Sequence, residues 1–418
     1  MKVLHINTSD ISGGAARAAY RIHCGLRTIG VDSNMFVQSK LSDSPYVYTY
    51  DDKISKLKAK INNVCEQCIN NFIKPQNYIP WSSGKNIFSF VDYIRELKPD
   101  IINLHWINSG HISIEDIANI NVPIVWTLHD MWAFTGGCHY VADDCKKYSV
   151  KCFKCDLLSN QKLDFAEWIF KRKLRNFSKD IAIVTPSEWL AIEAKKSILF
   201  KANRIEVIHN CIDTDTYSPK NKKMAREIIG LPINSHVILF GAMSATSDPR
   251  KGFHYLYSAI RQIYERMNSV ERSNICIAIF GGSEPKNKPD FGFMTRYIGQ
   301  LNDDISLSML YSAADVMVVP SHAENYPNTI LESMSCGTPC VGFDIGGIPD
   351  FITHKENGYL ARHYDISDLA NGIEYLIHDS ENWQKMSSNS RNMVKKFLNL
   401  CTIASQYKNL YESILFGT

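Results

Sequence analysis

Residues 320–350 read PSHAENYPNTILESMSCGTPCVGFDIGGIPD, and this stretch contains the pattern that decides the fold. Two acids in it, Glu324 and Glu332, lie on either side of a predicted change from loop to helix. A turn of small residues, a short apolar strand and a second glycine turn follow them. Because the acids flank the point where the chain enters a helix, we expect both carboxylates to face one crevice.

The residues between the two acids favour a turn that opens a helix. Asn325, Pro327 and Asn328 are turn formers, and residues 329–334 continue as a helical segment. The backbone N–H groups near Tyr326 to Thr329 then lack helical acceptors, and such a helix start is a site for an anion. Carboxylates beside it accept hydrogen bonds from hydroxyl groups, so a ligand with a phosphate, a ribose and a sugar fits the whole pattern.

Together with its flanks, this pattern resembles the nucleotide-sugar signature of the family 4 retaining glycosyltransferases. The spacing E-x7-E is preceded by AADVMVVPS and followed by CGTPCVGFDIGGIPDFI. Two glutamates at this spacing would fit charges on a solvated helix face equally well, but the flanking sequences favour the family. The resemblance implies the GT-B fold, in which two Rossmann-like, doubly wound α/β domains face each other across a cleft. It also implies a UDP- or GDP-sugar donor and a retaining reaction that needs no cofactor or catalytic metal.

Composition places the chain among ordinary globular proteins. It has 418 residues, of which 45% are apolar and 21% charged, and its net charge is +3. These values exclude a disordered or fibrous chain and do not favour a nucleic-acid partner. No apolar run approaches the about 18 residues of a membrane span, and MKVLHINTS leads directly into a strand. We therefore expect a cytoplasmic protein with reduced cysteines.

Strands and helices alternate in two series along the chain. The first begins with a predicted strand over residues 1–8, and the second begins at His236 with HVILFGAMS. The resemblance implies an acceptor-side domain over residues 1–216 and a nucleotide-sugar-binding domain over residues 217–399. It also implies that a C-terminal helix, about 400–418, packs back on the first domain.

A pair of glycines, Gly13 and Gly14, follows the first strand and precedes a helix that should end near Gly30. Glycine lets the backbone approach a ligand closely, and the helix start adds N–H groups. Since the full G-x-G-x-x-G is missing, a tight turn without a ligand is an equal alternative. The resemblance implies that this loop contacts the donor phosphates or the acceptor.

Two predicted strands end in histidine-containing segments, DIINLHW (100–106) and PIVWTLHD (123–130). The carboxyl ends of parallel strands carry ligands, so His105 and His129 stand where chemistry is expected. The resemblance implies that His129 contacts the donor sugar, and His105 is a second candidate. Trp106 and Trp132 would shape the acceptor cleft or, as the favoured alternative, pack in the core.

The run SATSDPRKGFHYL supplies Arg250 and Lys251 just before a glycine and a helix. A diphosphate leaving group needs cations held close in a partly dry cleft. The family usually has an arginine directly after the glycine of G-R, where this chain has Ala242. The resemblance therefore assigns Lys251 to the diphosphate, with Arg250 replacing the missing arginine. Two surface charges are the alternative.

Four cysteines near the second histidine have the spacing C-x6-C-x6-C-x2-C. They are Cys138, Cys145, Cys152 and Cys155. Four thiolates in a short segment would suit a structural zinc ion. Only the last two have the compact C-x2-C spacing, so reduced cysteines without metal are the alternative. The D-x-D at Asp213 and Asp215 lies at a domain junction, where turn and cap roles are favoured over metal binding.

Residues 51–74 predict a helix with one basic and one apolar face. Its lysines stand at 53, 56, 58 and 60, and its apolar stripe comprises Ile54, Leu57, Ile61, Val64, Cys68 and Phe72. Such a helix would rest on an anionic membrane surface. The favoured alternative is a surface helix whose apolar stripe packs in the core.

The sequence thus predicts a retaining glycosyltransferase that uses a nucleoside-diphosphate sugar. By resemblance, Glu332 holds the ribose, Glu324 the transferred sugar, and Arg250 and Lys251 the diphosphate. The backbone that completes the donor site is that of Gly13, Gly14, Asn325, Tyr326, Pro327, Asn328 and Thr329. The implied acceptor is a glycan or a polyprenyl-diphosphate-linked oligosaccharide of bacterial cell-surface polysaccharide, such as O-antigen, and the implied location is the inner face of the cell membrane. An epimerase with the same fold and a non-catalytic nucleotide-sugar-binding protein are the alternatives.

Overall fold

The computed structural model describes residues 1–73, 75, 80–141, 145–159, 163–241, 246–282, 284 and 288–417. The chain forms two compact units. The first comprises Met1–Asn210 and Leu400–Thr418, and the second comprises Cys211–Asn399.

The first unit is built on a parallel sheet. Its strands are β1 (Lys2–Ser9), β2 (Asp32–Ser39), β3 (Val47–Tyr48), β4 (Ile101–Leu104), β5 (Ile124–Thr127), β6 (Ala182–Thr185) and β7 (Ile205–Val207). They lie in the order β3-β2-β1-β4-β5-β6-β7, with every neighbouring pair parallel. The segments IINL, IVWT and AIVT are buried along their whole length, as expected for parallel strands covered on both faces.

Helices connect these strands. They are α1 (Gly14–Thr28), α2 (Lys53–Ile73), α3 (Val91–Glu96), α4 (Ile114–Ala118), α5 (Phe165–Asn176) and α6 (Glu188–Lys196). Short 3-10 helices span Trp132–Phe134 and Lys147–Ser149.

The second unit repeats this architecture. Its strands are β8 (His236–Gly241), β9 (Ile275–Phe280), β10 (Met294–Gly299), β11 (Val316–Val319), β12 (Cys340–Phe343) and β13 (Gly358–Ala361). Their order is β10-β9-β8-β11-β12-β13, and all neighbouring pairs are parallel.

The helices of the second unit are α7 (Lys222–Ile229), α8 (Phe253–Arg266), α9 (Ser269–Ser273), α10 (Asp304–Ala313), α11 (Asn328–Ser335), α12 (Ile366–His378) and α13 (Ser380–Phe397). A 3-10 helix spans Pro249–Lys251. The last helix, α14 (Leu400–Phe416), belongs to the first unit and packs against α1. Contact is close at Gly25, where an added Cβ would lie 2.8 Å from the carbonyl oxygen of Leu400.

Both sheets reverse their strand order at one point, between β1 and β4 in the first unit and between β8 and β11 in the second. Open α/β sheets bind ligands outside the carboxyl ends of the strands at such a switch point. The prediction of two doubly wound α/β units is confirmed, and the two switch points mark where functional side chains are to be sought.

Helix α2 buries a different face from the one favoured by the sequence. The predicted apolar stripe lies outward: Ile54, Leu57, Val64 and Phe72 are 56–68% exposed. The favoured alternative, in which this stripe packs in the core, is therefore wrong. Among the described residues, no helix combines the length and the hydropathy needed to cross a membrane.

Hydrogen bonds hold the inward face of α2. Asn62 Oδ1 accepts from the backbone N–H groups of Ile87 and Phe88, each at 3.0 Å. The Glu66 carboxylate accepts from the backbone N–H of Ser83 at 2.6 Å and also from its hydroxyl. Both side chains are buried. A search for apolar periodicity misses such a face, because it is polar and satisfied by specific partners.

Candidate active site

The switch point of the second unit brings Lys251 and Glu324 together. Lys251 ends the 3-10 helix that follows β8, and Glu324 lies in the loop between β11 and α11. The Lys251 ammonium donates to Oε1 of Glu324. Glu324 is 7% exposed. Two residues predicted to bind one ligand are therefore direct neighbours.

A glycine turn after β12 supports Glu324 from behind. The backbone N–H of Gly347 donates to the carbonyl oxygen of Glu324 at 3.2 Å. Gly346 has a φ of +52°, and an added Cβ would lie 1.9 Å from that carbonyl oxygen. Only glycine combines this backbone conformation with so close an approach. The second glycine turn of residues 320–350 thus fixes the backbone that carries the acid.

The segment that carries Lys251 is held equally closely. The backbone N–H of His322 donates to the carbonyl oxygen of Arg250 at 2.7 Å. Gly252 has a φ of +72°, and an added Cβ would lie 1.8 Å from the carbonyl oxygen of Pro320. The 3-10 helix therefore packs directly on the start of the loop that contains Glu324.

Arg250 has a different partner from Lys251. Its guanidinium donates from Nη2 to Oδ2 of Asp248 at 2.6 Å, and Oδ1 of Asp248 accepts from the backbone N–H of Arg250 at 3.0 Å. Asp248 thus caps the 3-10 helix and orients the guanidinium at the same time. Ala242, which stands where the family has an arginine, lies outside the described residues.

Glu332 lies on α11 and is buried, with 4% of its surface exposed. Its Oε2 accepts from the hydroxyl of Tyr311, on α10, at 2.8 Å. Burial, together with the charge of Glu332, raises the pKa of Tyr311, so the phenol remains a donor. Tyr311 was not predicted as a site residue. Its only signal in the sequence is an aromatic residue in a helical segment, which is typical of core packing.

Helix α11 starts where the turn residues predict. It begins at Asn328, with Pro327 as N-cap and no side-chain hydrogen bond capping it. Asn325 and Tyr326 are buried, and the ring centroids of Tyr326 and Phe351 lie 3.9 Å apart. Thr329 lies in the first turn of the helix.

In the first unit, the predicted glycine turn joins β1 to α1. Helix α1 begins at Gly14, and Gly13 is its N-cap with a φ of +97°. Asp10, which was not predicted, organises the loop before it. This fully buried carboxylate accepts from the backbone N–H groups of Leu41, at 3.0 and 3.2 Å, and of Ser42, at 2.8 Å.

The two predicted histidines lie side by side at the first switch point. His105 follows β4 and His129 follows β5. His105 Nδ1 and His129 Nε2 are 3.0 Å apart, and their rings are stacked. Burial lowers the pKa of His105 well below its usual range and that of His129 to about 4, although the charge of Asp130 acts in the opposite direction on His129. Both rings are neutral at neutral pH.

A second polar network, which was not predicted, lies beside His129. Asp130 Oδ2 contacts Nδ1 of His139 at 2.6 Å and accepts from Nε1 of Trp106 at 3.1 Å. His139 Nε2 lies 2.9 Å from the hydroxyl of Ser82. Trp132 is 2% exposed, so the favoured core role is confirmed for this residue.

The four cysteines considered for a structural zinc ion all lie in the first unit. Cys138 and Cys152 are buried and Cys145 and Cys155 half-buried. Among the residues that the structure describes, no three or more His, Cys, Asp or Glu side chains are placed to hold a metal ion. Asp213 acts in a turn, as expected: its Oδ1 accepts from the backbone N–H of Asp215 at 3.0 Å.

Two family models match the chain. "Glycosyltransferase Family 4" matches residues 12–216, and "Glycosyl transferases group 1" matches residues 222–393. An uncharacterized glycosyltransferase of Haemophilus influenzae is 24% identical over 339 residues, which cover 78% of this chain and 81% of that relative.

Solved structures show the same fold. Sucrose-phosphate synthase from Thermosynechococcus elongatus superposes with a TM-score of 0.72 at 19% identity, over 100% of both chains. Anabaena HepE, solved in complex with UDP, has a TM-score of 0.62 at 18% identity, over 99% of this chain and 100% of that one. The predicted GT-B fold is confirmed. Since the two models together span most of the chain, it belongs to the family 4 (group 1) glycosyltransferases.

Proposed function

We propose that this protein is a retaining glycosyltransferase that moves a sugar from a nucleoside-diphosphate sugar to a glycan or lipid-linked oligosaccharide in cell-surface polysaccharide synthesis. The observation that carries the proposal is the contact between Lys251 and Glu324 at the switch point of the second sheet. A half-buried cation beside a buried acid matches the diphosphate and the sugar hydroxyls of one ligand.

In this proposal the second unit binds the donor. Glu332 accepts hydrogen bonds from the ribose hydroxyls, and the hydrogen bond from the Tyr311 hydroxyl to Oε2 helps to orient its carboxylate. Glu324 accepts from the transferred sugar, while Lys251 and Arg250 neutralise the diphosphate. The start of α11, residues 325–329, completes the anion site. A UDP-sugar is the first donor to test, because HepE was solved with UDP.

For the first unit, we propose a role in acceptor and sugar binding. His129 and the turn at Gly13 and Gly14 lie at the carboxyl ends of strands, where this type of sheet binds ligands. A neutral imidazole and glycine N–H groups both supply hydrogen bonds to hydroxyl or phosphate oxygens without adding charge.

The proposed reaction needs no nucleophile from the enzyme. The bond between the anomeric carbon and the diphosphate oxygen breaks, and positive charge develops on the sugar ring. The acceptor hydroxyl then bonds to the anomeric carbon on the same face, and the departing phosphate oxygen takes its proton. Lys251 stabilises the charge that accumulates on the leaving group.

A panel of UDP-, GDP- and dTDP-sugars tests the donor assignment. We expect one of them, in the first instance a UDP-sugar, to raise the melting temperature and to be slowly hydrolysed. Release of the free sugar with its original anomeric configuration would support retention. A response to no nucleotide sugar would overturn the proposal. Interconversion of the sugar while it stays on the nucleotide would instead identify an epimerase.

We further propose that α2 rests on an anionic membrane surface. Its outward stripe includes Ile54, Leu57 and Val64, and lysines flank this stripe. An exposed apolar stripe bordered by cations is typical of helices that lie in the membrane interface. This placement suits an enzyme whose acceptor is attached to a lipid.

Co-sedimentation with vesicles tests this contact. We expect binding to vesicles that contain phosphatidylglycerol and little binding to pure phosphatidylcholine. Replacing Ile54 and Leu57 together by Gln should abolish it, whereas Ile192→Gln, at an exposed apolar position on α6, should not. Equal sedimentation of both variants, or none by the wild type, would contradict the proposal.

A further inference from the structure

Three histidines from adjacent strands form a continuous row in the first unit. His5 lies within β1, and its Nδ1 is 2.9 Å from Nε2 of His105. His105 Nδ1 is in turn 3.0 Å from Nε2 of His129. Successive rings are stacked, with centroids 5.2 and 5.3 Å apart and interplanar angles of 28° and 26°. The row runs from the interior of the sheet to its ligand-binding edge.

Every ring in this row is neutral at neutral pH. Burial is the largest cause of the lowered pKa of each one, and His5 and His105 are 0% and 3% exposed. A neutral imidazole carries one N–H and one bare nitrogen. Each of the two contacts therefore needs one donor and one acceptor, so that choosing the tautomer of one ring determines the tautomers of the other two.

Only two arrangements satisfy both contacts. In the first, Nδ1–H of His5 donates to His105, Nδ1–H of His105 donates to His129, and His129 carries its proton on Nδ1. In the second, both bonds reverse, and His129 carries its proton on Nε2. The two arrangements present opposite groups at Nδ1 of His129: a donor in the first and a bare acceptor in the second.

The inner end of the row favours the first arrangement. His5 Nε2 is buried and has no hydrogen-bond partner among the residues that the structure describes. The second arrangement would place an N–H there without an acceptor, whereas the first leaves only a bare lone pair. Buried N–H groups without a partner are the rarer and costlier defect. His23, the next ring, forms its hydrogen bond through Nδ1 with the hydroxyl of Ser33 at 2.8 Å, and it lies edge-on to His5, with ring centroids 6.1 Å apart, so the stacked row ends at His5.

We propose that His5 and His105 are positioning residues that hold His129 in its Nδ1–H tautomer, so that Nδ1 of His129 is a hydrogen-bond donor. This inference rests on the proposed function, in which His129 contacts the substrate. Phosphate oxygens only accept hydrogen bonds, and sugar hydroxyls beside acidic residues are already used as donors. A fixed N–H donor therefore matches the ligand, and the reversed tautomer would place two acceptors against each other.

Nuclear magnetic resonance of protein with ¹⁵N-labelled histidine tests the row directly. Two-bond ¹H–¹⁵N correlations distinguish the tautomers, and substitution of each histidine assigns its signals. We expect His5, His105 and His129 all to carry the proton on Nδ1. An Nε2–H tautomer at His129 in the wild type would overturn the proposal.

Variants separate positioning from simple packing. Asn places an amide nitrogen near the location of Nδ1 in His, so His105→Asn retains a donor to His129, whereas His105→Leu removes it. We expect His105→Leu to give mixed tautomers at His129 and about tenfold lower kcat/KM, and His105→Asn to preserve both. An unchanged single tautomer at His129 in His105→Leu would contradict the inference.

Two further measurements keep the outcomes distinct. If His105→Leu does not fold, His5→Leu and His5→Asn supply the same comparison one ring further inward. The tautomers are measured without substrate, so they test the row independently of activity. If the tautomers are as expected but His129→Ala keeps the turnover of the wild type, the ordered row of histidines is supported. The substrate role of His129 is then overturned.

Discussion

The Lys251 ammonium and the Glu324 carboxylate are direct partners, although 73 positions separate them in the sequence. Backbone contacts fix both segments: His322 binds the carbonyl of Arg250, and Gly347 binds that of Glu324. Since the ion pair is largely buried, removing one member leaves the other charge without compensation. A donor diphosphate can replace Glu324 as the partner of Lys251, while Glu324 accepts from sugar hydroxyls.

The first prediction concerns this pair. Lys251→Ala and Glu324→Gln should each lower turnover by about a hundredfold or more, because each removes a charge contact with the reacting ligand. Steady-state measurement of nucleoside diphosphate release with the identified donor gives the comparison. Turnover close to wild type in both variants would exclude the assignment.

The same unit offers a matched control. Lys222 forms an ion pair with Asp315 at 2.8 Å, and Asp315 directly precedes β11, at the opposite end of that strand from Glu324. Lys222→Ala therefore also breaks a partly buried ion pair, but away from the switch point. Its turnover should remain within about threefold of wild type. An equally large loss of turnover in Lys222→Ala would mean that reduced stability explains the effect of Lys251→Ala.

Parts of this site could be predicted from sequence because local signals agree with the fold. The apolar runs of β11 and β12 indicate buried parallel strands, and Asn325, Pro327 and Asn328 mark the start of α11. The glycine turn at Gly346 also follows from composition. That Lys251 and Glu324 serve one ligand was expected only through the resemblance, since spacing alone does not show which loops meet.

Other features carry no local signal. Tyr311 has the sequence context of a core aromatic residue, and only the fold shows that its hydroxyl reaches Glu332. The polar inward face of α2 depends on partners in residues 83–88, which periodicity cannot reveal. Helices α13 and α14 are separated at residues 398–399, although neither glycine nor proline marks the break.

The second prediction tests how Glu332 is oriented. Tyr311→Phe removes the hydrogen bond to Oε2 and with it one of the contacts that orient the carboxylate. A hydrogen bond to a charged group contributes about 1.5–3 kcal/mol, so we expect the donor KM to rise about tenfold or more, with a smaller change in kcat. Tyr217→Phe is the control, because the Tyr217 hydroxyl donates to Asp304, another carboxylate, at 2.8 Å. A similar rise of KM in both variants would contradict a specific role for Tyr311.

The third prediction concerns the glycine behind Glu324. Gly346→Ala would force a Cβ against the Glu324 carbonyl in a backbone conformation that disfavours alanine, so both the melting temperature and donor binding should fall. Gly230→Ala is the matched control: its φ is +79°, but an added Cβ meets no atom of the described residues within 4 Å. It should cost about 1–2 kcal/mol and leave donor affinity unchanged. Differential scanning fluorimetry with and without the nucleotide sugar measures both effects. Normal donor affinity in Gly346→Ala would show that the turn does not position the acid.

The fourth prediction follows from the buried histidines of the first unit. Burial lowers the pKa of His23 and His129 to about 4 and that of His111 to about 3. In the unfolded chain these groups titrate near 6.5, so between about pH 6.5 and 4 the unfolded state binds more protons than the folded state. Their stabilisation is therefore complete above pH 6.5 and is lost as the pH falls toward 4. Each of these histidines should lower the free energy of unfolding by about 2 kcal/mol between pH 7.5 and 5.0.

Urea denaturation at a series of pH values measures this loss, with intrinsic tryptophan fluorescence as the probe. The first unit holds Trp126 and Trp132 in its core, so their emission reports its unfolding. His23→Gln can retain a hydrogen bond to Ser33 but cannot gain a proton, so its stability should depend less steeply on pH than that of the wild type. An identical pH dependence in the two proteins would show that His23 is not a neutral, buried group in the folded state.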